Sequence, residues 1–151
     1  MKRMEQYKTT LTNDEYENLL DFMNKTVSCE KIHNKFLAVY GGTSEIRSAF
    51  VNDIVDIIGV YNTHNIDSTV AMNRPHFSPT SKLTILTELS TSNVKFAGII
   101  KMLVSTDEII YDCAGFNVKY NQSNVVYVTE TIQDFDSGLL KRAININLDN
   151  K

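Results

Sequence analysis

Apolar and polar positions alternate along this chain in two distinct rhythms. Between Thr10 and Lys35 the residues Tyr16, Leu19, Leu20 and Met23 recur at helical spacing, with Thr12 placed to cap the segment and Asp14 and Glu15 in its first turn. Lys35 to Tyr40 (KFLAVY) is a short apolar run stopped by Gly41-Gly42, the signature of a strand covered on both faces of a parallel sheet. Phe50, Val51, Ile54, Val55 and Ile58 then form one face of a helix predicted from Ser48 to Ile58, with Gly59 at its C-terminal cap.

A short strand is predicted over Asp67 to Met72, followed by a loop, NRPHFSPT, that holds both prolines of the chain. Lys82 to Glu88 is β-prone, Val94 to Val104 is an amphipathic helix, and Ile109 to Tyr120 has the alternation and internal Gly115 of a hairpin. Asn124 to Thr129 is a second buried-strand candidate and Ser137 to Arg142 a short helix. Ile144, Ile146 and Leu148 alternate with Asn145 and Asn147 as a half-exposed edge strand. The sum is an α/β fold: a mainly parallel sheet with flanking helices in three layers, with 1–34 as a helical lead-in and 35–151 as one compact core.

Composition narrows the function classes. With 151 residues, 42% hydrophobic and 22% charged, the chain is long enough to build a core and gives no support to disorder or coiled coil. A formal net charge of -3 argues against a surface coated in cations for duplex DNA or anionic membrane. Cys29 and Cys113, without a CxxC, fit neither a disulfide framework nor a zinc site, and they read as reduced thiols. The basic start lacks an apolar segment behind it, and no run approaches a membrane span, so an intracellular, soluble protein is expected. His33, His64 and His76 are scattered and receive no catalytic or metal role.

The most informative stretch is Tyr40 to Phe50, YGGTSEIRSAF. A phosphate-binding loop GxxxxGK[ST] lies between a buried strand and a helix, where backbone N–H groups cradle phosphates, the lysine reaches the outer phosphates and the hydroxyl holds magnesium. Laid on that template, Gly41 is the first glycine, with Gly42 beside it, Ile46 replaces the second, Arg47 replaces the lysine and Ser48 keeps the hydroxyl. An apolar strand ending in Glu88 follows at the Walker B place. Leu103-Val104-Ser105-Thr106-Asp107, a hairpin from Glu108 to Tyr120 and a strand ending at Glu130 come next. An acidic turn (Asp134-Phe135-Asp136-Ser137-Gly138), the basic pair Lys141-Arg142 and a last strand complete the order.

In that order of motifs the chain, over about Lys35 to Leu148, resembles the helicase core of superfamily 3, the AAA+ motors of viral and plasmid replication. The poxvirus-type and giant-virus primase-helicases are the nearest likeness. The resemblance implies a P-loop core whose vestigial nucleotide site is Gly41, Gly42, Arg47 and Ser48, with Ser48 and Glu88 as weak magnesium candidates. Glu88, Glu130 and Arg142 are the vestigial catalytic candidates: Walker B acid, sensor position and trans-acting arginine finger.

The departures imply lost chemistry. A β-branched Ile46 resists the backbone conformations that let a loop approach phosphate, Arg47 is a planar fork rather than a compact ammonium, and a carboxylate at Glu130 repels a terminal phosphate. Phosphoryl transfer depends on positioning and charge neutralisation, so these losses compound. The expectation is an inactive helicase-like module of a virus or mobile element, without a cofactor. It would act through a protein partner or self-association in genome replication or the virion, in host cytoplasm or nucleus.

Two alternatives stand beside it: a divergent Mg-ATP-binding ATPase, and a single-stranded nucleic-acid binder through Tyr111, Phe116 and Tyr120. Asp107, Glu108 and Asp112 against Lys119 alone make the hairpin a poor phosphate grip, so nucleic-acid binding is expected to be weak or absent. Plainer readings of the same residues are a glycine turn at Gly41-Gly42, a helix N-cap at Ser48, a solvated Glu88 and a surface Arg142.

Overall fold

A computed structural model describes residues 2–67, 81–88, 96–107, 111–113, 116–118 and 121–149. A 3₁₀ segment (Lys2–Thr9) leads into helix α1 (Asn13–Val27), strand β1 (Phe36–Tyr40) and helix α2 (Ser44–Ile58). Strands β2 (Thr63–Asp67) and β3 (Leu83–Thr87), helix α3 (Ala97–Ser105) and strands β4 (Tyr111–Cys113) and β5 (Phe116–Val118) follow. Strand β6 (Asn124–Val128), helix α4 (Ser137–Arg142) and strand β7 (Ala143–Asn147) come last. Five strands form one sheet in the order β2-β3-β6-β1-β7, every neighbouring pair parallel. The antiparallel pair β4-β5, in register Tyr111↔Val118, is the expected hairpin.

Alternate residues of each strand enter opposite cores, as a pleated strand requires. Leu37 and Val39 of β1 join Leu19, Phe22 and Met23 of α1 and Phe50 and Ile54 of α2 on one face. Phe36 and Ala38 join Ile100, Leu103 and Val104 of α3 and Leu139 of α4 on the other. Both faces are covered, which is why β1 and β6 carry unbroken apolar runs, Phe36 to Val39 and Val125 to Val128. The N-terminal lead-in contributes Met4, Leu11 and Leu19 to the first of these cores.

Several boundaries differ from those expected of the sequence. α1 is shorter than Thr10 to Lys35: it closes at Ser28, and Cys29 (φ 59) and Asn34 (φ 57) turn the chain toward β1. The second strand lies at Thr63–Asp67 rather than beginning at Asp67, while 68–72 and the proline loop at 73–80 fall outside the described residues. β2 is an edge strand on which Ile66 alone is buried, so its polar positions hide the apolar pattern of a strand. The start of α1 is as expected. Thr12 Oγ1 accepts from Glu15 N–H (3.2 Å) and Glu15 Oε2 accepts from Thr12 N–H (3.0 Å), a reciprocal capping box. The other oxygen of Glu15 accepts from the Asn147 N–H at 3.0 Å and so ties α1 to the end of β7.

At the opposite end of the sheet Asn124 is buried beneath the turn that follows α1. It accepts from Ile32 N–H (2.8 Å) and donates to Thr26 Oγ1 (3.0 Å) and Glu30 O (2.9 Å). Asn124→Ala leaves these partners without their hydrogen bonds and is expected to cost about 2–3 kcal/mol, since each orphaned buried polar group costs roughly 1–3 kcal/mol. Urea unfolding checks this, and a loss below ~1 kcal/mol would mean that water replaces the amide.

Candidate functional site

β1 delivers the chain to Gly41 and Gly42, both at positive φ (76° and 62°), and α2 starts two residues later. Glycine is favoured at the first position chiefly by its positive φ. An added Cβ at Gly41 would lie 2.6 Å from both Asn147 Oδ1 and Asp149 Oδ1, in a backbone conformation that side chains resist. Thr43 caps α2, its Oγ1 accepting from Ile46 N–H at 3.2 Å.

The cap corrects the expectation for Ser48. That serine lies inside the helix on its exposed side, so neither the predicted cap nor the predicted helix start holds. The loop between strand and helix is therefore only Gly41-Gly42-Thr43. Ile46 is already helical, and its side chain packs toward Gly42 and the α1–α2 core.

Arg47 is turned inward. Its Nη1 donates to the carbonyls of Gly41 (2.9 Å) and Gly42 (2.8 Å), its Nη2 lies 3.9 Å from Glu130 Oε1, and its side chain is 11% exposed. The guanidinium holds the loop's own carbonyls. The backbone donors of the loop are also engaged: Gly41 N–H with Glu130 O (3.2 Å) and Gly42 N–H with Asp149 Oδ1 (2.9 Å). Glu45 adds a second carboxylate at the helix start. Its own backbone N–H, then the Thr43 and Ser44 hydroxyls, hold it below the usual carboxylate range, with a smaller contribution from Arg47.

Beside this loop, at the carboxyl ends of β3 and β6, lies a cavity of about 350 Å³ lined by Glu88, Thr129, Glu130, Asp134, Tyr127 and Phe135, among others. In open α/β sheets this is where ligands bind. Tyr127 and Phe135 stack at 5.6 Å between ring centroids and 13° between planes, closing its floor. Glu88 and Glu130 are thus brought together at one opening, with Arg47 at its side. Arg142 is not brought there. It ends α4, its Nη1 donates to Gly138 O of the same helix (2.8 Å), and its Nε is buried without a partner.

Among the described residues no group of three His, Cys, Asp or Glu could hold a metal ion, and no helix is long and apolar enough to cross a membrane. His33 Nδ1 lies 3.3 Å from Asp107 Oδ1, while His76, Glu108, Lys119 and Tyr120 lie outside the described residues. Asp149, Thr43 and Tyr127 are the residues of this region that motif reasoning missed. For Thr43 the signal was present, a hydroxyl residue just before Ser44-Glu45 and an apolar face; for Asp149 no local signal exists.

No family model and no curated protein matches the chain. Two solved structures of the NrS-1 C-terminal region, both described as its apo A form, superpose on it. One gives a TM-score of 0.60 at 15% identity over 93% of this chain, the other, of residues 305–718, a TM-score of 0.64 at 13% identity over 99%. The fold is shared with that region. This chain spans 38% and 37% of the two longer chains.

Proposed function

We propose that this chain is a catalytically inactive helicase-like module of the superfamily 3 type, belonging to a virus or mobile element. It works by contact with a protein partner or a second copy of itself in genome replication or virion assembly. The observation that carries the reading is the position of Arg47. The residue at the place of the phosphate-loop lysine binds the carbonyls of Gly41 and Gly42 instead of facing an open loop. A loop of three residues whose glycine N–H groups already have acceptors leaves a triphosphate no cradle. Glu88, Glu130 and Asp134 add three carboxylates at the neighbouring opening, where a nucleotide would need cations. The fold shared with the NrS-1 C-terminal region is consistent with this origin.

An interaction role is supported by the turn before β2, where Tyr61 is 97% and Val60 64% exposed beside an edge strand. The module carries no resident nucleotide or magnesium under this reading. Phosphate release from ATP with magnesium and single-stranded DNA is expected to stay at background. Turnover near ~1 per second, inside the ordinary enzyme range, would overturn the proposal. ATP and magnesium should also leave the melting temperature unchanged. Saturation at 100 times Kd would instead stabilise the fold by about 2.7 kcal/mol and favour a nucleotide-binding protein.

A further inference from the structure

We infer that the cavity at the carboxyl ends of β3 and β6 receives an arginine side chain presented by a protein partner, stacked on the Tyr127–Phe135 floor and held by the carboxylates of its rim. The inference rests on the reading of this chain as an interaction module and adds the chemistry of the group that it takes.

Size and lining choose the occupant together. A volume of about 350 Å³ is at the small end of the range for ligand pockets, roughly 300–1,000 Å³, and gives room for one long side chain rather than a large ligand. The described lining holds Glu88, Glu130 and Asp134 and no lysine, arginine or histidine. These carboxylates do not converge on a point, since among the described residues no three such groups could hold a metal ion. Carboxylates spread around an opening suit a cation whose own donors are spread, and a guanidinium carries its N–H groups in one planar fork. Arg47 offsets Glu130 only in part: its Nη2 is 3.9 Å away, its Nη1 is spent on the loop carbonyls, and the Glu130 side chain is still 57% exposed.

The floor supplies what an acidic rim alone would not. Tyr127 is buried and Phe135, stacked on it, is half-buried, so the pair presents an aromatic surface to the cavity. Phe36 and Phe96 hold the Tyr127 ring from the core, with centroids 6.4 and 6.3 Å away. A planar, weakly hydrated guanidinium stacks on such a surface and gains cation–π attraction, which distinguishes it from a strongly hydrated ammonium. The rim stands on pinned backbone. Glu88 N–H donates to Val128 O (2.8 Å), Thr129 N–H to Val39 O (3.0 Å), and Glu130 O accepts from Gly41 N–H (3.2 Å). The site is therefore formed before its occupant arrives, which lowers the cost of binding.

The test titrates the full chain with the tripeptide acetyl-Gly-Arg-Gly-amide and with its lysine and citrulline counterparts, read at the Glu130 and Phe135 amide resonances. The arginine peptide should move both amides with a Kd on the order of 1 mM and should weaken as salt rises. Citrulline, similar in shape but uncharged, should bind at least about tenfold more weakly, in keeping with the strength of hydrogen bonds to charged groups. Lysine should fall between. Glu130→Gln/Asp134→Asn, at two exposed positions, should lose about tenfold, Phe135→Leu about two- to fivefold, and the remote exposed change Glu17→Gln nothing.

Equal affinities for the arginine and citrulline peptides, unmoved Glu130 and Phe135 amides, or a double variant that binds as wild type does would overturn the inference. So would magnesium chloride saturating the same amides at equal or lower concentration, which marks a metal site, or tighter binding of putrescine, which marks a site for free amines. These outcomes are separable from the parent proposal: ATP turnover by wild type defeats inactivity, whereas a wild type inactive on ATP and blind to the arginine peptide defeats only the role of the cavity.

Discussion

Truncating Phe50 to alanine is expected to lower the unfolding free energy by about 3–5 kcal/mol, the range for a fully buried phenylalanine. Phe50 is 0% exposed on α2, and Tyr7 of the N-terminal 3₁₀ segment meets its ring edge-on at 4.8 Å and 74°. Removing the ring loses transfer free energy and leaves a cavity that α2 cannot close, because Arg47 pins the start of that helix to the glycine loop. Tyr7 also loses its edge-to-face ring partner, while its hydroxyl bond to Asp53 Oδ2 (2.6 Å) remains. Urea unfolding should therefore show a lower midpoint at an unchanged slope, with the half-buried neighbour variant Val51→Ala losing under ~1.5 kcal/mol. A loss for Phe50→Ala no larger than that of Val51→Ala would mean that the N-terminal segment does not pack there in solution.

Stability should rise between pH 8 and 10 in wild type relative to Lys31→Met. Lys31 Nζ donates to Leu103 O (2.8 Å) and Ser123 O (2.6 Å), and burial pushes its ammonium from the ordinary 10.5 down to about 8, against a smaller opposing pull from Asp107. In the unfolded chain the amine keeps its proton up to the ordinary value. Across the interval between the two values the unfolded state binds more protons than the folded state, so the unfolding free energy climbs with pH.

The neutral amine still has two N–H groups for the two carbonyls, so deprotonation sacrifices no hydrogen bond. A tenfold difference in proton affinity between the folded and unfolded chain corresponds to about 1.4 kcal/mol. Allowing for solvent screening, the relative gain by pH 10 is about 1–2 kcal/mol. Above pH 10 Tyr7 works the other way in both proteins alike: its phenol is pushed up by burial and then by Asp53, so the unfolded chain loses that proton first and absolute stability falls while the difference due to Lys31 stands. Parallel pH profiles for wild type and Lys31→Met between pH 8 and 10 would refute the assignment of this slope to Lys31.

Much of the fold was legible because burial on both faces writes continuous apolar runs: Phe36 to Val39 and Val125 to Val128 are strands on that ground alone. β2 was not legible. At a sheet edge only one face is buried, and His64 and Asn65 interrupt the pattern around Ile66. The start of α2 was misread because a phosphate-loop template set Ser48 at the helix boundary, whereas the local cap chemistry of Thr43 starts it earlier.

At the site, Gly41, Gly42, Arg47 and Glu130 stand close together as their order along the chain suggested. The direction of Arg47 was not legible, because its acceptors are carbonyls and carbonyls leave no trace in a sequence. The same holds for Lys31. Asp149 meets Gly42 only through the register of β7 on β1, a long-range pairing that no local pattern encodes.

The sheet order also has a kinetic consequence. β1 is an interior strand, yet Leu37 takes as its partners Val126 of β6 and Ile144 of β7. During synthesis this apolar strand must wait, unpaired, until nearly the whole described chain has been made. Closing such long loops before any pairing rewards them makes folding slow, and the waiting edge is open to other chains. Among the described residues, the N-terminal segment and α1, whose Leu19, Phe22 and Met23 share a core with Leu37 and Val39, can shield that strand while it waits.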